Sequence, residues 1–75
     1  MKVTVKLFAT FREGRFKSDD KDYPKGITCG RIVADLELRE EELGIVLVNS
    51  RHAPPWDQEL NEGDIVALFP LVGGG

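Results

Sequence analysis

The residues best suited to chemistry are the three glycines at the C-terminal end of the sequence, Gly73, Gly74 and Gly75. Glycines add no side chain to a core and carry the greatest conformational entropy of any residue. Fully extended, these three span about 10 Å beyond Val72, and without Cβ atoms they could enter a narrow channel. The pattern indicates a terminal carboxylate that reacts inside another protein, although a frayed tail or a linker remnant has the same composition.

Other candidate groups lack the arrangement that catalysis or metal binding requires. Ser50, His52 and Asp57 are close in sequence, but a proline-containing loop gives no assurance that a base is oriented beside a nucleophile. One cysteine and one histidine are too few for a structural zinc site. Cys29 either has a lowered thiol pKa near a helix N-terminus or packs as a small apolar group. We expect no bound metal and no bound cofactor.

The composition is that of one small globular domain. The chain has 75 residues and 8.4 kDa, of which 41% are hydrophobic and 31% charged, so it is neither disordered nor multidomain. Apolar runs such as Ile45 to Val48 are far shorter than the roughly 20 residues of a membrane-spanning helix. No leader pattern precedes the first predicted strand. We therefore expect a soluble cytoplasmic protein with no membrane partner.

Charge is distributed unevenly along the sequence. The formal net charge is -3, with a net +4 over residues 1–31 and a net -7 over residues 32–75. Nucleic-acid binding depends on clustered Lys and Arg, so we expect no nucleic-acid partner. The acidic half would attract a basic partner surface, or its charges simply keep a small protein in solution.

Hydrophobic periodicity predicts the elements of the first half. Residues 2–8 alternate polar and apolar side chains, which predicts a half-buried strand, and a polar segment then predicts an edge strand around 16–23. Thr28 is a candidate N-cap for a helix over 29–37. The side chains predicted to face the core are Val3, Val5 and Leu7 in the strand and Ile32, Val33 and Leu36 in the helix.

The second half predicts short strands separated by loops. Leu38 to Gly44 is predicted to be a helical extension or an exposed loop closed by Gly44. Ile45 to Val48 is apolar and β-branched, which predicts a strand buried on both faces. Two prolines predict a loop over residues 49–58, with a very short strand near Arg51 to Ala53. A tight turn over 61–64 precedes the last strand, Ile65 to Phe69, which ends at Pro70.

This order of elements predicts an α+β roll. One helix covers one face of a mixed sheet, and the strands that hold the two chain ends lie near its centre. Alternation in the last strand allows two orientations. Either Val66 and Leu68 face the helix, or Ile65, Ala67 and Phe69 do.

Four segments together resemble the β-grasp sulfur carriers of the MoaD/ThiS family, which are relatives of ubiquitin. They are the opening KVTVKLFATFRE, the LVNSRH strand and turn, the LNEGDIVALFP turn and strand, and the glycine ending. The FATFRE segment makes the chain more similar to the small subunit of molybdopterin synthase than to the thiamine carrier. The resemblance covers nearly the whole chain. It implies a ubiquitin-like sheet of four to five strands with one main helix, in a single domain over 1–75 with a flexible tail over 71–75.

The resemblance also implies a role for Gly75. An E1-like enzyme would adenylate its carboxylate with ATP and magnesium, and a sulfur donor would then convert it to a thiocarboxylate. A free carboxylate is a resonance-stabilised anion, so sulfur attacks it only after activation by a good leaving group. The chain would be a carrier rather than an enzyme. The implied pathway is molybdopterin biosynthesis, with the large subunit of molybdopterin synthase as second partner.

By the same resemblance, Val66 and Leu68 face the helix, and an apolar patch remains exposed beside the tail. The alternative is a secondary core that Phe8 and Phe69 close under residues 9–16. In the tail, Gly73 and Gly74 would occupy the partner's channel. The residues expected to bind partners are Phe8, Phe69, Leu71 and Val72, with Ile65 at the edge of the patch.

Two departures from the family pattern leave the pathway open. The usual glycine pair is extended by Gly73, and the usual Asn-Gly after the strand is Asn49-Ser50. Alternatives are a sulfur carrier for thiamine, cysteine or tRNA thiolation, or a protein modifier that joins Gly75 to a lysine. A noncovalent β-grasp interaction module is a further alternative, from a different functional class.

Overall fold

A computed structural model describes residues 1–52 and 59–71. Two short 3₁₀ helices, Ala9–Arg12 and Glu40–Glu42, lie between the main elements of this part. The main elements are the strands β1 (Lys2–Leu7), β2 (Ser18–Asp22), β3 (Leu43–Val48), β4 (Arg51–His52) and β5 (Ile65–Pro70), and the helix α1 (Cys29–Asp35).

The five described strands form one mixed sheet in the order β2-β1-β5-β3-β4. β1 and β5 are parallel neighbours, and β2 pairs antiparallel with β1 at one edge. β3 pairs antiparallel with β5 and with β4. The predicted α+β roll, the edge position of the second strand and the central position of the first and last strands are therefore confirmed.

The core lies between α1 and one face of this sheet. Inward side chains of β1 and β5 are completely buried, because every second residue of a strand points to the same face. Burying one such aliphatic side chain stabilises the fold by about 1.5–3 kcal/mol. The buried apolar residues are Val3, Val5, Leu7, Phe11, Ile27, Cys29, Ile32, Val33, Leu38, Leu60, Val66 and Leu68. Of the two orientations of β5, the one with Val66 and Leu68 inward is correct.

Helix α1 begins as predicted but ends earlier than residue 37. The Arg31 N–H donates to the Thr28 hydroxyl at 3.2 Å, which caps the N-terminus. After Asp35 the chain turns at Glu37, whose φ of 60° is left-handed, and the Leu38 N–H donates to the Val33 carbonyl at 3.1 Å. This turn brings Leu38 back to the core, where it is 8% exposed.

Two predictions for the third strand are wrong. β3 is not buried on both faces, since Ile45 is 49% exposed and Val46, Leu47 and Val48 are only half-buried. The apolar composition of β3 suggested burial on both faces, but α1 covers only one face of the sheet. Gly44 does not close a loop before the strand. It lies inside β3, which already begins at Leu43.

The turn between β3 and β4 holds two non-glycine residues in the left-handed region. Asn49 has φ 53° and Ser50 has φ 67°, and the flanking Val48 and Arg51 pair with each other. Two positive φ values between paired strands are typical of a type I′ hairpin turn, which favours glycine at the second position. The predicted short strand at Arg51 is confirmed, while Ala53 lies outside the described residues.

Replacing Ser50 with glycine is expected to stabilise the protein by about 0.5–1 kcal/mol, because glycine removes the Cβ strain of a left-handed residue. For a domain of this size that is a rise in Tm of about 2–8 °C in a calorimetric scan. Ser18→Gly in β2 is the matched control and should lower the Tm, because glycine weakens a strand. An unchanged or lower Tm for Ser50→Gly would contradict the assignment of strain to this turn.

Candidate functional site

We call the sheet face opposite α1 the open face. It carries the outward side chains of the central strands, which alternate with the core residues. Lys6 lies opposite Ala67, and Phe69 lies opposite Ile45. The exposed large hydrophobic side chains of the described part are Ile45 (49%), Ile65 (39%) and Leu71 (59%).

Phe8 and Phe69 form a stacked pair at one end of the open face. Their ring centroids are 4.1 Å apart and their planes differ by 7°. The Phe8 N–H donates to the Leu68 carbonyl at 3.2 Å, which continues the pairing of β1 with β5 by one residue. The Arg12 guanidinium lies 5.1 Å from the Phe8 centroid, and its Nε donates to the Leu7 carbonyl at 2.6 Å. The stacked pair is therefore held in place both by the pairing of β1 with β5 and by Arg12 of the first 3₁₀ helix.

The environment of the two phenylalanines lies between the two predicted ones, an exposed apolar patch and a secondary core. Phe8 and Phe69 are half-buried, and neither packs against the main core. The segment over 9–16 contributes Phe11 to that core instead, where it is 4% exposed. Phe8 and Phe69 thus form a semi-exposed aromatic surface beside Ile45. Sequence reasoning missed Ile45 because it assigned β3 to the interior.

The start of the tail is fixed to the neighbouring strand. The Leu71 N–H donates to the Glu42 carbonyl at 2.9 Å, immediately after β5 ends at Pro70. Phe8 and Leu71 follow parallel strands, so both leave the sheet at the same end. The residues predicted to enter the partner or to react, Val72, Gly73, Gly74 and Gly75, lie outside the described residues. Their roles remain predictions.

Charges of opposite sign flank the start of the tail. Lys6 and Arg12 lie on the β1 side. Glu40–Glu42 lies on the other side, where it immediately precedes β3. Glu42 is itself engaged, because its carboxylate accepts from the Arg39 N–H at 3.3 Å and lies 3.5 Å from the Arg39 Nε. A partner on the open face would meet an apolar centre with a cationic and an acidic flank.

The described part offers little else for catalysis. Cys29 is 1% exposed, and burial, with a smaller contribution from Asp64, raises the pKa of its thiol. The thiol is therefore protonated at neutral pH, which supports the packing alternative for Cys29. Ser50 lies in the hairpin turn, while Asp57, Trp56 and the side chain of His52 lie outside the described residues. Among residues 1–52 and 59–71, no three His, Cys, Asp or Glu side chains form a metal-binding group.

The part of the chain that the structure describes contains one α-helix, α1, which has seven residues. None of the helices in this part has the length and apolar character needed to cross a membrane.

A comparison with protein families identifies the family of this chain. Residues 5–75 match the model of the ThiS family. The chain belongs to the ThiS family. Its members are ubiquitin-like sulfur carriers of the MoaD/ThiS type, small proteins that are not themselves enzymes. The resemblance inferred from the four sequence segments is thereby confirmed.

Solved structures of this ThiS-family type share the β-grasp fold. One described as molybdopterin converting factor subunit 1 from Pyrococcus furiosus has a TM-score of 0.77 and 29% identity over 96% of this chain and 99% of that chain. Small archaeal modifier protein 1 from Haloferax volcanii has a TM-score of 0.73 and 26% identity over 95% and 98%.

A third similar structure is a complex of subunits 1 and 2 of molybdopterin-converting factor from Helicobacter pylori. Its matched chain has a TM-score of 0.67 and 21% identity over 100% of both chains, which shows a shared fold alone. A comparison with curated protein sequences finds no match.

Proposed function

We propose that this ThiS-family protein carries sulfur on the carboxylate of Gly75. An E1-like partner would adenylate this carboxylate with ATP and Mg²⁺, releasing pyrophosphate. Hydrosulfide released by a sulfur donor would then attack the acyl carbon, AMP would leave with the electrons of the acyl–phosphate bond, and loss of the S–H proton would leave the thiocarboxylate. The observation that carries this proposal is the family match, which extends through residue 75.

The geometry of the described residues supports a carrier rather than a catalyst. The last described residue, Leu71, follows a central strand and is 59% exposed beside the open face. The thiol of Cys29 is buried and protonated at neutral pH, so it is not available as a nucleophile at that point. The partner would therefore supply the catalytic groups, and this chain would supply the acyl group and a surface for docking.

Molybdopterin biosynthesis is the pathway that we favour. The Pyrococcus furiosus protein is described as a molybdopterin converting factor subunit, and it is 29% identical over nearly the full length of both chains. The Helicobacter pylori subunit 1 forms a complex with subunit 2. We therefore propose the large subunit of molybdopterin synthase as the second partner, docked on the open face.

Protein modification is the second candidate. The similarity to small archaeal modifier protein 1 from Haloferax volcanii, at 26% identity over almost all of both chains, favours it. In that case the same acyl adenylate would be attacked by a lysine amine of a target protein rather than by sulfur. The activation step is common to both candidates, so the fate of the activated carboxylate distinguishes them.

Intact-mass spectrometry of the protein purified from its own cells tests these functions. A carrier should show a fraction whose mass increases by the replacement of one oxygen with sulfur. A modifier should instead appear in conjugates with a branched Gly75–lysine linkage. Protein from cells that lack the adenylating enzyme is the control and should show neither species. If neither species occurs in normal cells, the noncovalent interaction module is the remaining candidate.

A further inference from the structure

The pairing of β3 with β5 is irregular where the tail begins. Leu43 pairs with Pro70 and Ile45 pairs with Phe69, so β3 advances two residues while β5 advances one. Gly44 is the extra residue, which makes this a β-bulge. Bulges bend the strand that contains them and increase its local twist. This one lies at the last pair of β5 before the chain leaves the sheet.

The bulge changes the face of the sheet to which Leu43 points. Ile45 lies on the open face and is 49% exposed, whereas Leu43, two residues away, packs against the core. In a regular strand both side chains would point to the same face, so the extra residue redirects Leu43. Pairing resumes beyond the bulge, because the Leu71 N–H donates to the Glu42 carbonyl at 2.9 Å.

Gly44 is required here by space rather than by an unusual φ. A Cβ on Gly44 would lie 2.7 Å from the Pro70 carbonyl oxygen, 3.0 Å from the Pro70 carbonyl carbon and 3.1 Å from the Leu71 Cα. All three atoms belong to the backbone of the departing chain, so none can rotate away. Any larger residue at position 44 must displace the end of β5.

We propose that Gly44 is a positioning residue for the tail, and this inference rests on the proposed function. The close contact of Gly44 with Pro70 and the hydrogen bond from Leu71 to Glu42 set the direction in which the chain leaves the sheet. A partner docked on the open face then meets Leu71, where the tail begins, in a fixed position. Displacing a reacting group by about 1 Å can lower a rate by up to a hundredfold, and the three glycines would absorb part of that displacement.

Gly44→Ala is the test of this role. We expect about a threefold to tenfold lower kcat in ATP–pyrophosphate exchange by the adenylating enzyme, because the tail starts from a displaced point. The KM for the carrier should change little, because the apolar docking residues remain. Hydrogen exchange of the Leu71 amide should become faster than in the wild type, since its bond to the Glu42 carbonyl is disturbed.

Gly63→Ala is the matched control. Gly63 lies before the other end of β5, has φ 84° and has open space around its Cβ position. Alanine there is strained and lowers stability, but it should leave kcat and the Leu71 amide unchanged. If Gly44→Ala does not fold, replacing the Leu71 amide by an ester through semisynthesis removes the donor without added bulk and should give the same loss of kcat.

The outcomes separate this role from the proposed function. A wild-type chain that supports no exchange with the adenylating enzyme overturns the proposed function, and the role of Gly44 with it. Normal activity of the wild type together with normal kcat or normal Leu71 protection in Gly44→Ala overturns the positioning role alone. A loss of kcat that Gly63→Ala reproduces also overturns it, because the loss would then follow general stability.

Discussion

Deletion of Gly75 alone is expected to abolish adenylation while the domain stays folded. The deletion moves the terminal carboxylate back by about 3.5 Å, one extended residue, which places it out of reach of the bound nucleotide. Such a misplacement lowers the rate by at least about a hundredfold, because the attacking oxygen no longer lies near the α-phosphorus. ATP–pyrophosphate exchange by the adenylating enzyme measures the loss.

The fold should be insensitive to this deletion. The last residue of the buried core is Leu68, and the last backbone hydrogen bond of the described part is donated by Leu71. The Tm of the shortened chain should therefore equal that of the wild type. A full-length chain with an amidated Gly75 is the control: it keeps the length, lacks the reactive carboxylate and should be equally inactive. If the deleted chain were still adenylated, Gly75 could not be the reacting residue.

Phe69→Ala is expected to weaken binding of the adenylating enzyme by about tenfold to a hundredfold. Aromatic residues near the centre of an interface carry a large share of its binding energy, at about 2 kcal/mol or more each. Phe69 lies between Phe8, at 4.1 Å, and Ile45, opposite on β3. Its loss removes the ring that lies between Phe8 and Ile45 and releases Phe8 from the stack. Titration calorimetry with the purified enzyme gives the change in Kd.

Phe16→Ala separates this binding effect from a loss of stability. Phe16 is also half-buried, but it packs against the main core and lies 4.9 Å below the Lys21 ammonium, away from the open face. Both substitutions should lower the Tm, because each removes a packed ring. Only Phe69→Ala should change the Kd. Equal effects on Kd, or a collapse of the fold in Phe69→Ala alone, would instead identify Phe69 as a core residue.

The strands that border the open face show what a sequence can and cannot reveal. β1 was predicted correctly because its outward residues, such as Lys6, are polar and the period-two pattern is clear. β3 was assigned to the interior because both of its faces are apolar. Apolar side chains of a docking surface and of a core have the same composition. Only the position of α1, which depends on the whole chain, decides which of the neighbouring residues Ile45 and Val46 faces the core.

The role of Gly44 depended on contacts between distant segments. An isolated glycine beside an apolar run is a known signal for a bulge, but in this sequence it equally fitted the end of a loop. Its contact with Pro70 joins residues 26 positions apart, which no local pattern encodes. The early end of α1 at Asp35 has a similar cause, because burial of Leu38 stabilises a left-handed Glu37.

The parallel contact of β1 with β5 has a mechanical consequence. These neighbouring strands are held by a row of hydrogen bonds that lie across the chain direction. A pull on the C-terminal end loads the whole row in shear, so the bonds resist together instead of opening one after another. A partner could therefore apply force to the last residues, when it binds or releases them, without unfolding the domain.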